Sequence, residues 1–357
     1  MPDRSENMKR RLLEYRGQRV GRRGGIPLED RVGLIPNLEY DREELDLYSE
    51  VDPLLENIPP LRGPNKISYI ATHHRREALT EILPTFPALV RMEVLQDIAD
   101  RLRTAASRGR KPDPAQLKRD IKAHAASLGF ALCGVTLLDP RFVTAGNERK
   151  FPHPTAVVLG MEMRKEWLLE APNYHLRRYP DYDVYRRAGN RVHRLAGFIR
   201  SRGVSCSARV PFDGAVVYPV HAITAGLGGL GAFGGVVTRE FGPRQRFCMI
   251  VVDSELPLDE PVDLGVAELC DACLLCARKC PAGAIPSEPL WWRGVRKRKI
   301  NDLKCWAFFT AWHTCAVCLN ACPLHRYGYQ AVTEHFERTG EILEYESILA
   351  EKVVFRG

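Results

Sequence analysis

The sequence has no run of the ~18 uninterrupted apolar residues that a membrane-spanning helix needs. Its N-terminal stretch, MPDRSENMKRRLLEYRGQRVGRRGG, lacks the apolar core of a secretory signal. Arg22-Arg23 is a twin arginine in spelling only, because Gly-Gly-Ile-Pro-Leu-Glu-Asp follows it and no hydrophobic segment does. No internal repeat of solenoid spacing is present. These absences set the expectation of a cytoplasmic protein with no membrane partner. The cytosol keeps thiols reduced, so the eleven cysteines are not read as a disulfide framework, and metal binding is the better account.

What is present is a globular composition: 357 residues, 45% hydrophobic and 27% charged, with a formal charge of +8. That length fits one large domain or two ordinary ones. The basic excess reads first as a solvated surface, and it also suits an acidic partner or nucleic acid.

Residues 1–65 are rich in charge, proline and glycine and read as an extended arm. Residues 77–108 carry apolar positions at helical spacing, split around Pro84-Thr-Phe-Pro87. SRGRKPDP (107–114) is a basic linker at a domain boundary. Beyond it, Asp113 is a good N-cap with Pro114 in the first turn, Leu117, Ile121 and Leu128 form an apolar face, and Gly129 stops the helix. FALCGVTLL (130–138) and TAVVLGM (155–161) read as buried strands, as do VSCSARV and RFCMIVV. DYDVYRRAGNRVHRLAGFIRSRG (181–203) reads as an amphipathic helix closed by Gly203. Strands alternating with helices predict an α/β layer domain. The last 35 residues carry one short helical pattern.

The cysteines hold the most specific signal. One run is Cys270-x2-Cys273-x2-Cys276-x3-Cys280-Pro281, and the other is Cys305-x9-Cys315-x2-Cys318-x3-Cys322-Pro323. A [4Fe–4S] cube needs one thiolate per iron, and in the bacterial two-cluster pattern the cysteine before proline serves the other cluster. Crossing the runs assigns Cys270, Cys273, Cys276 and Cys322 to one cube, and Cys280, Cys305, Cys315 and Cys318 to the second. Every cysteine of the region is then used once. A pair of four-thiolate zinc sites is the other reading of C-x2-C pairs, but zinc calls for neither the third cysteine at x2 nor the Cys-Pro after x3. Cys133, Cys206 and Cys248 lie in apolar strand patterns and read as core cysteines. His73-His74, His124, His153 and His221 read as ordinary surface or core histidines.

Ahead of the clusters, Ala225–Gly235 has six glycines in eleven residues. Such a loop admits close approach of a large cofactor, and it also reads as a tight structural turn. Gly226, Gly228 and Gly231 spell a dinucleotide fingerprint, yet the loop follows a helix-like stretch where that fingerprint should follow a strand.

The order of KFPHPTAVVLGMEM, APNYHLRRYPDYDVYRRAGNRVHRLAGFIRSRGV, PVHAITAGLGGLG, TREFGPRQRF and the double-cluster region resembles the cobalamin-dependent reductive dehalogenases. More distantly it resembles the epoxyqueuosine reductases that share their core. The resemblance covers about residues 113–330. It implies an α/β (α+β) fold: a nitroreductase-like, corrinoid-binding domain at 111–260 and a bacterial ferredoxin-like double [4Fe–4S] module at 261–330. An N-terminal arm with helices (1–110) would precede them and a tail (331–357) follow.

The implied reaction is a two-electron, proton-coupled reduction of a small organohalide, with two [4Fe–4S] clusters and a corrinoid (cobalamin) as cofactors. A low-potential donor such as a ferredoxin or flavodoxin would supply the electrons, and the arm would aid homodimer contacts. Carried over to this chain, the proton-donor tyrosine is Tyr185, with Tyr182 second, and the cation beside it is Arg246 or Arg244. The plainer readings are a core tyrosine and strand-edge arginines. Gly226, Leu227, Gly228, Gly229 and Gly231 are the candidate corrinoid contacts. The chain departs from the family where Gly229 and Ala232 replace an acid and an arginine, and where the x9 spacing is short.

The epoxyqueuosine alternative acts on tRNA. WWRGVRKRKINDLK (291–304) sets six Lys/Arg and two tryptophans against one acid, and Asp213 stands near the place of that family's acid. The same basic run also reads as a solvated loop or as a dock for an acidic electron donor. A third reading is an electron-transfer protein without corrinoid.

Overall fold

The structure, a computed structural model, describes residues 112–143, 147–173, 180–211, 213–292, 295–301, 304–305 and 315–354. The expected N-terminal arm and the paired helices at 77–108 lie outside the described residues.

Helix α1 (Pro114–Ser127) starts as its sequence dictates. The Asp113 carboxylate accepts the Gln116 backbone N–H at 2.8 Å, Pro114 opens the first turn, and Gly129 leaves it at φ +82°. Leu117 and Ile121 face the core. Four strands follow: β1 (Leu132–Leu137), β2 (Thr155–Glu162), β3 (Cys206–Arg209) and β4 (Gln245–Val252). They form one sheet in the order β1-β2-β4-β3, and every pair is antiparallel. The expected α/β layer is therefore corrected to α+β, because βαβ units would have made parallel neighbours.

The central strands read as apolar runs because both faces are covered. On β2 and β4, Val157, Leu159, Cys248, Ile250 and Val252 point to one core. Ala156, Val158, Phe247, Met249 and Val251 point to the other. Helix α2 (Pro180–Ser201) and α1 close the first face. Val184, Val192, Leu195 and Ile199 of α2 are wholly buried there, and each such side chain contributes about 1.5–3 kcal/mol. Helix α3 (Tyr218–Thr224) covers the second face. Cys206 and Cys248 are buried in the sheet, and burial pushes the Cys133 thiol up to about 12.

His124, His221 and His153 are structural too, while His73-His74 lie outside the described residues. His124 stacks on Phe198 with ring centroids 4.3 Å apart. Buried His221 accepts the Asp139 N–H at Nε2, and its Nδ1 lies 3.0 Å from the Val217 carbonyl. His153 lies against Ser205.

A third core gathers around the cysteine helices and includes Leu264, Leu269, Leu275, Leu324, Val332, Ile342 and Ile348. Its last members come from Tyr329–Thr339 and Tyr345–Ala350, two helices where a single helical pattern was expected. No helix among the described residues is long and apolar enough to cross a membrane.

Candidate metal centre and active site

The two cysteine runs fold into matching turns. In the first, α4 (Val266–Cys273) ends at Leu274, whose φ is 50°, and α5 (Leu275–Arg278) follows. In the second, Ala316 has φ 41° and α6 (Val317–Asn320) follows. The left-handed residue stands directly after Cys273 and directly after Cys315. Two residues on from each cysteine, an N–H (Leu275, Val317) points to its thiol. A left-handed non-glycine costs about 1–2 kcal/mol, and finding it twice at the same step marks a conformation kept for what the turn holds. The second run then passes through Cys322-Pro323 into α7 (Pro323–Arg326).

The two runs approach one another. Cys322 feels Cys270, Cys276 and Cys273. Cys315 feels Cys280 and Cys305, and Cys318 feels Cys315, Cys305 and Cys280 together with Cys276 of the other set. Burial pushes the Cys276 and Cys315 thiols up to about 12 and Cys273 to about 11, so without a cation they stay protonated. A bound metal reverses that balance and takes them as thiolates. Among the described residues no three His, Cys, Asp or Glu side chains stand at the spacing of a single ion. The thiolates of a cube each take a different iron and stand farther apart.

Cys280, Cys305, Cys315 and Cys318 line a cavity of about 280 Å³, as do Asp181 of α2 and Arg246 of β4. Phe233, Ile285, Ile300, Met163 and Leu168 give it apolar walls. The donor set and the dry walls suit a cube. The volume lies below the ~300–1,000 Å³ of pockets for drug-sized ligands, so the described residues do not by themselves enclose a corrinoid macrocycle.

Tyr185, on α2, packs partly against the first core. Burial, then Asp181, push its hydroxyl well above the ordinary tyrosine range, and Arg246, which hydrogen-bonds it, works against both. Arg246 reaches over from β4 and pairs with Asp181 at 2.7 Å. The structure thus brings Tyr185 and Arg246 together. Burial also raises Tyr182. Arg244 is placed elsewhere: it pairs with Glu162 at 2.8 Å and its Nη1 donates to the His325 carbonyl, so it ties the sheet to α7.

Asp181 is the member that sequence reasoning missed. Its only signal was its position one helical turn ahead of Tyr185.

The glycine loop has packing reasons of its own. A Cβ at Gly226 would lie 2.3 Å from the Glu260 carbonyl oxygen, and at Gly228 2.3 Å from that of Val237. At Gly229 it would press on Val266, and at Gly231 on Phe233. Leu227 packs against the second core. Asp213 pairs with buried Arg209 at 3.2 Å and accepts the Ala215 N–H, a structural arrangement. In the basic run, Arg298 is tied to Asp271 and to the Ser287 carbonyl.

No family model matches the chain. The tetrachloroethene reductive dehalogenase of Sulfurospirillum multivorans is 32% identical over 185 residues, covering 47% of this chain and 34% of that enzyme. The epoxyqueuosine reductase of Synechococcus sp. (strain RCC307) is 25% identical over 262 residues, covering 61% of this chain and 78% of that one. The chain is a relative of the reductive dehalogenases and epoxyqueuosine reductases. Among solved structures, a catabolic reductive dehalogenase in complex with 3-bromo-4-hydroxybenzoic acid superposes with a TM-score of 0.65 at 22% identity, covering 79% of this chain and 42% of that one. That likeness extends the kinship to the fold. The chain spans about a third of the length of the tetrachloroethene dehalogenase it matches.

Proposed function

We propose that this protein is an iron–sulfur, corrinoid-dependent reductase of the reductive dehalogenase kind. The observation that carries the reading is one cavity lined both by four cysteines of the crossed set and by the Asp181–Arg246 pair, which stands next to Tyr185. Electrons and a proton are needed at one place in a reductive displacement: the lining cysteines would hold the electron source, and Tyr185, hydrogen-bonded to the lining Arg246, would hold the proton.

In this reading the clusters form the electron relay of a ferredoxin-like module. They receive electrons singly from a low-potential ferredoxin or flavodoxin. The substrate is a small organohalide. Two electrons and one proton convert its carbon–halogen bond to a carbon–hydrogen bond, and halide leaves with the bonding pair. Tyr185 gives the proton, its phenolate is stabilised for that moment by the Arg246 guanidinium, and solvent returns the proton. The apolar walls exclude water, which lengthens the reach of both charges. A corrinoid, were one bound, would supply low-potential metal chemistry, in a space that the described residues alone do not enclose. Cys270, Cys273, Cys276 and Cys322 hold the outer cube and Cys280, Cys305, Cys315 and Cys318 the cube at the cavity.

The test is anaerobic purification with added cobalamin, followed by iron, sulfide, zinc and cobalt analysis of one sample. About eight irons with one cobalt per chain is the expected result. Irons without cobalt would remove the corrinoid from the proposal, and zinc in place of iron would end it. In the loaded enzyme, Tyr185→Phe is expected to lower kcat by about 10²–10⁴, the usual worth of a general acid. Undiminished turnover would exclude Tyr185 as the donor.

A further inference from the structure

Asp181 stands on the first turn of α2 and is almost wholly buried. One helical turn on, at i+4, is Tyr185, so both side chains leave the same face of the helix. Arg246 enters between them from β4. Its Nη2 lies 2.7 Å from Asp181 Oδ1, its Nη1 donates to the Gln245 carbonyl at 3.2 Å, and it hydrogen-bonds the Tyr185 hydroxyl. The fork of the guanidinium is therefore tied at three points, one of them an anion. An arginine alone beside a buried phenol favours the phenolate, which has no proton to give. With the carboxylate bound to it, the arginine's charge is largely taken up before it reaches the phenol.

We propose that Asp181 is a positioning residue. It ties the Arg246 guanidinium to the cavity wall beside Tyr185 and takes up its charge, so that the tyrosine keeps its proton until the reaction draws it. This rests on Tyr185 being the proton donor of the proposed reduction. The other groups that face Tyr185 are Tyr182, from its own helix, and Tyr218, from α3. Both are neutral phenols at ordinary pH, and the Tyr218 hydroxyl is spent on the Val210 carbonyl. Burial raises the hydroxyl most, and Asp181 and Arg246 are charged groups that act on it in opposite directions. When Tyr185 has given its proton, the phenolate lies next to the same guanidinium with the carboxylate behind it. That arrangement lets the intermediate form and still favours prompt reprotonation.

The experiment is a pH titration of the cluster-loaded protein with tyrosines labelled with ¹³C at Cζ. The signal of Tyr185 is assigned by its loss in Tyr185→Phe. Asp181→Asn is expected to move the midpoint of that signal down by about one pH unit or more, and Asp181→Glu to restore it. Arg246→Gln is expected to move it up. Iron content equal to that of the parent shows that the Asn variant has folded. A midpoint unmoved by Asp181→Asn in an iron-replete protein would overturn the proposal. So would Asn and Glu variants that behave alike.

In turnover, the alkaline limb of kcat should move to lower pH in Asp181→Asn while KM stays within about twofold. Loss of kcat at every pH with an unmoved limb would likewise overturn the proposal, since that is what a merely structural role predicts. Full activity of Tyr185→Phe would refute the proton-donor reading, and the labelled titration would still report whether Asp181 governs the Arg246–Tyr185 pair.

Discussion

At the scale of single residues, charge and burial compete at one hydroxyl. Tyr185 holds its proton more tightly in the folded chain than a free tyrosine near pH 10 does. The sign of the linkage follows. Its contribution to stability is fully present below about pH 10, where folded and unfolded chains are both protonated. It is lost as pH rises toward the raised folded value, because only the unfolded chain releases the proton. Urea midpoints measured between about pH 9 and 11 should fall more steeply for the parent than for Tyr185→Phe, and parallel curves would contradict this.

Individual residues were unevenly legible in the sequence. The cysteine spacing could be read because metal-binding turns are local in the chain. Family resemblance offered Tyr185 or Tyr182 with Arg246 or Arg244, and the structure brings Tyr185 and Arg246 together. Asp181 could not be read, because what makes it matter is an arginine on a distant strand. The glycines of 226–231 could be read as a tight loop, but the atoms that crowd them, such as the Glu260 and Val237 carbonyls, are remote in sequence.

At the scale of elements, the strands and the two long helices were legible, and the way they pair was not. TAVVLGM and RFCMIVV announce themselves because both faces of the sheet are covered, which leaves no polar alternation. Whether such runs pair parallel or antiparallel depends on connections that composition does not encode, and the sheet proved antiparallel throughout. The two C-terminal helices were under-read because they bury few side chains, chiefly Val332 and Ile348, and so show a weak stripe. The start of α1 was legible to the residue, since capping is local chemistry. Asp113→Ala removes the acceptor of the Gln116 N–H and is expected to cost about 0.5–2 kcal/mol, measured by urea denaturation. A loss below the error of such a measurement would mean that solvent caps the helix equally well.

At the scale of the whole molecule, the cysteine runs 270–280 and 305–322 come close to one another. Crossed and uncrossed ligation make different predictions for a pair of variants. If Cys280 and Cys315 serve the same cube, the double variant Cys280→Ala/Cys315→Ala should retain about four irons, the content of one intact cube. If each run serves its own cube, the same double variant should damage both and leave almost none. Iron and sulfide analysis after anaerobic isolation separates the two.

Crossing also has a meaning for how the protein is made. Cys322 lies within electrostatic reach of Cys270, Cys273 and Cys276, and Cys280 within reach of Cys315. Neither socket has its fourth thiol until synthesis has passed through the second run. If the ligation is crossed, a carrier delivering iron and sulfide to the nascent chain would find both sockets unfinished until Cys318 leaves the ribosome, and the first of them unfinished until Cys322 follows. In that case loading of the first run waits on synthesis of the second, and half-loaded chains should be scarce in the cell.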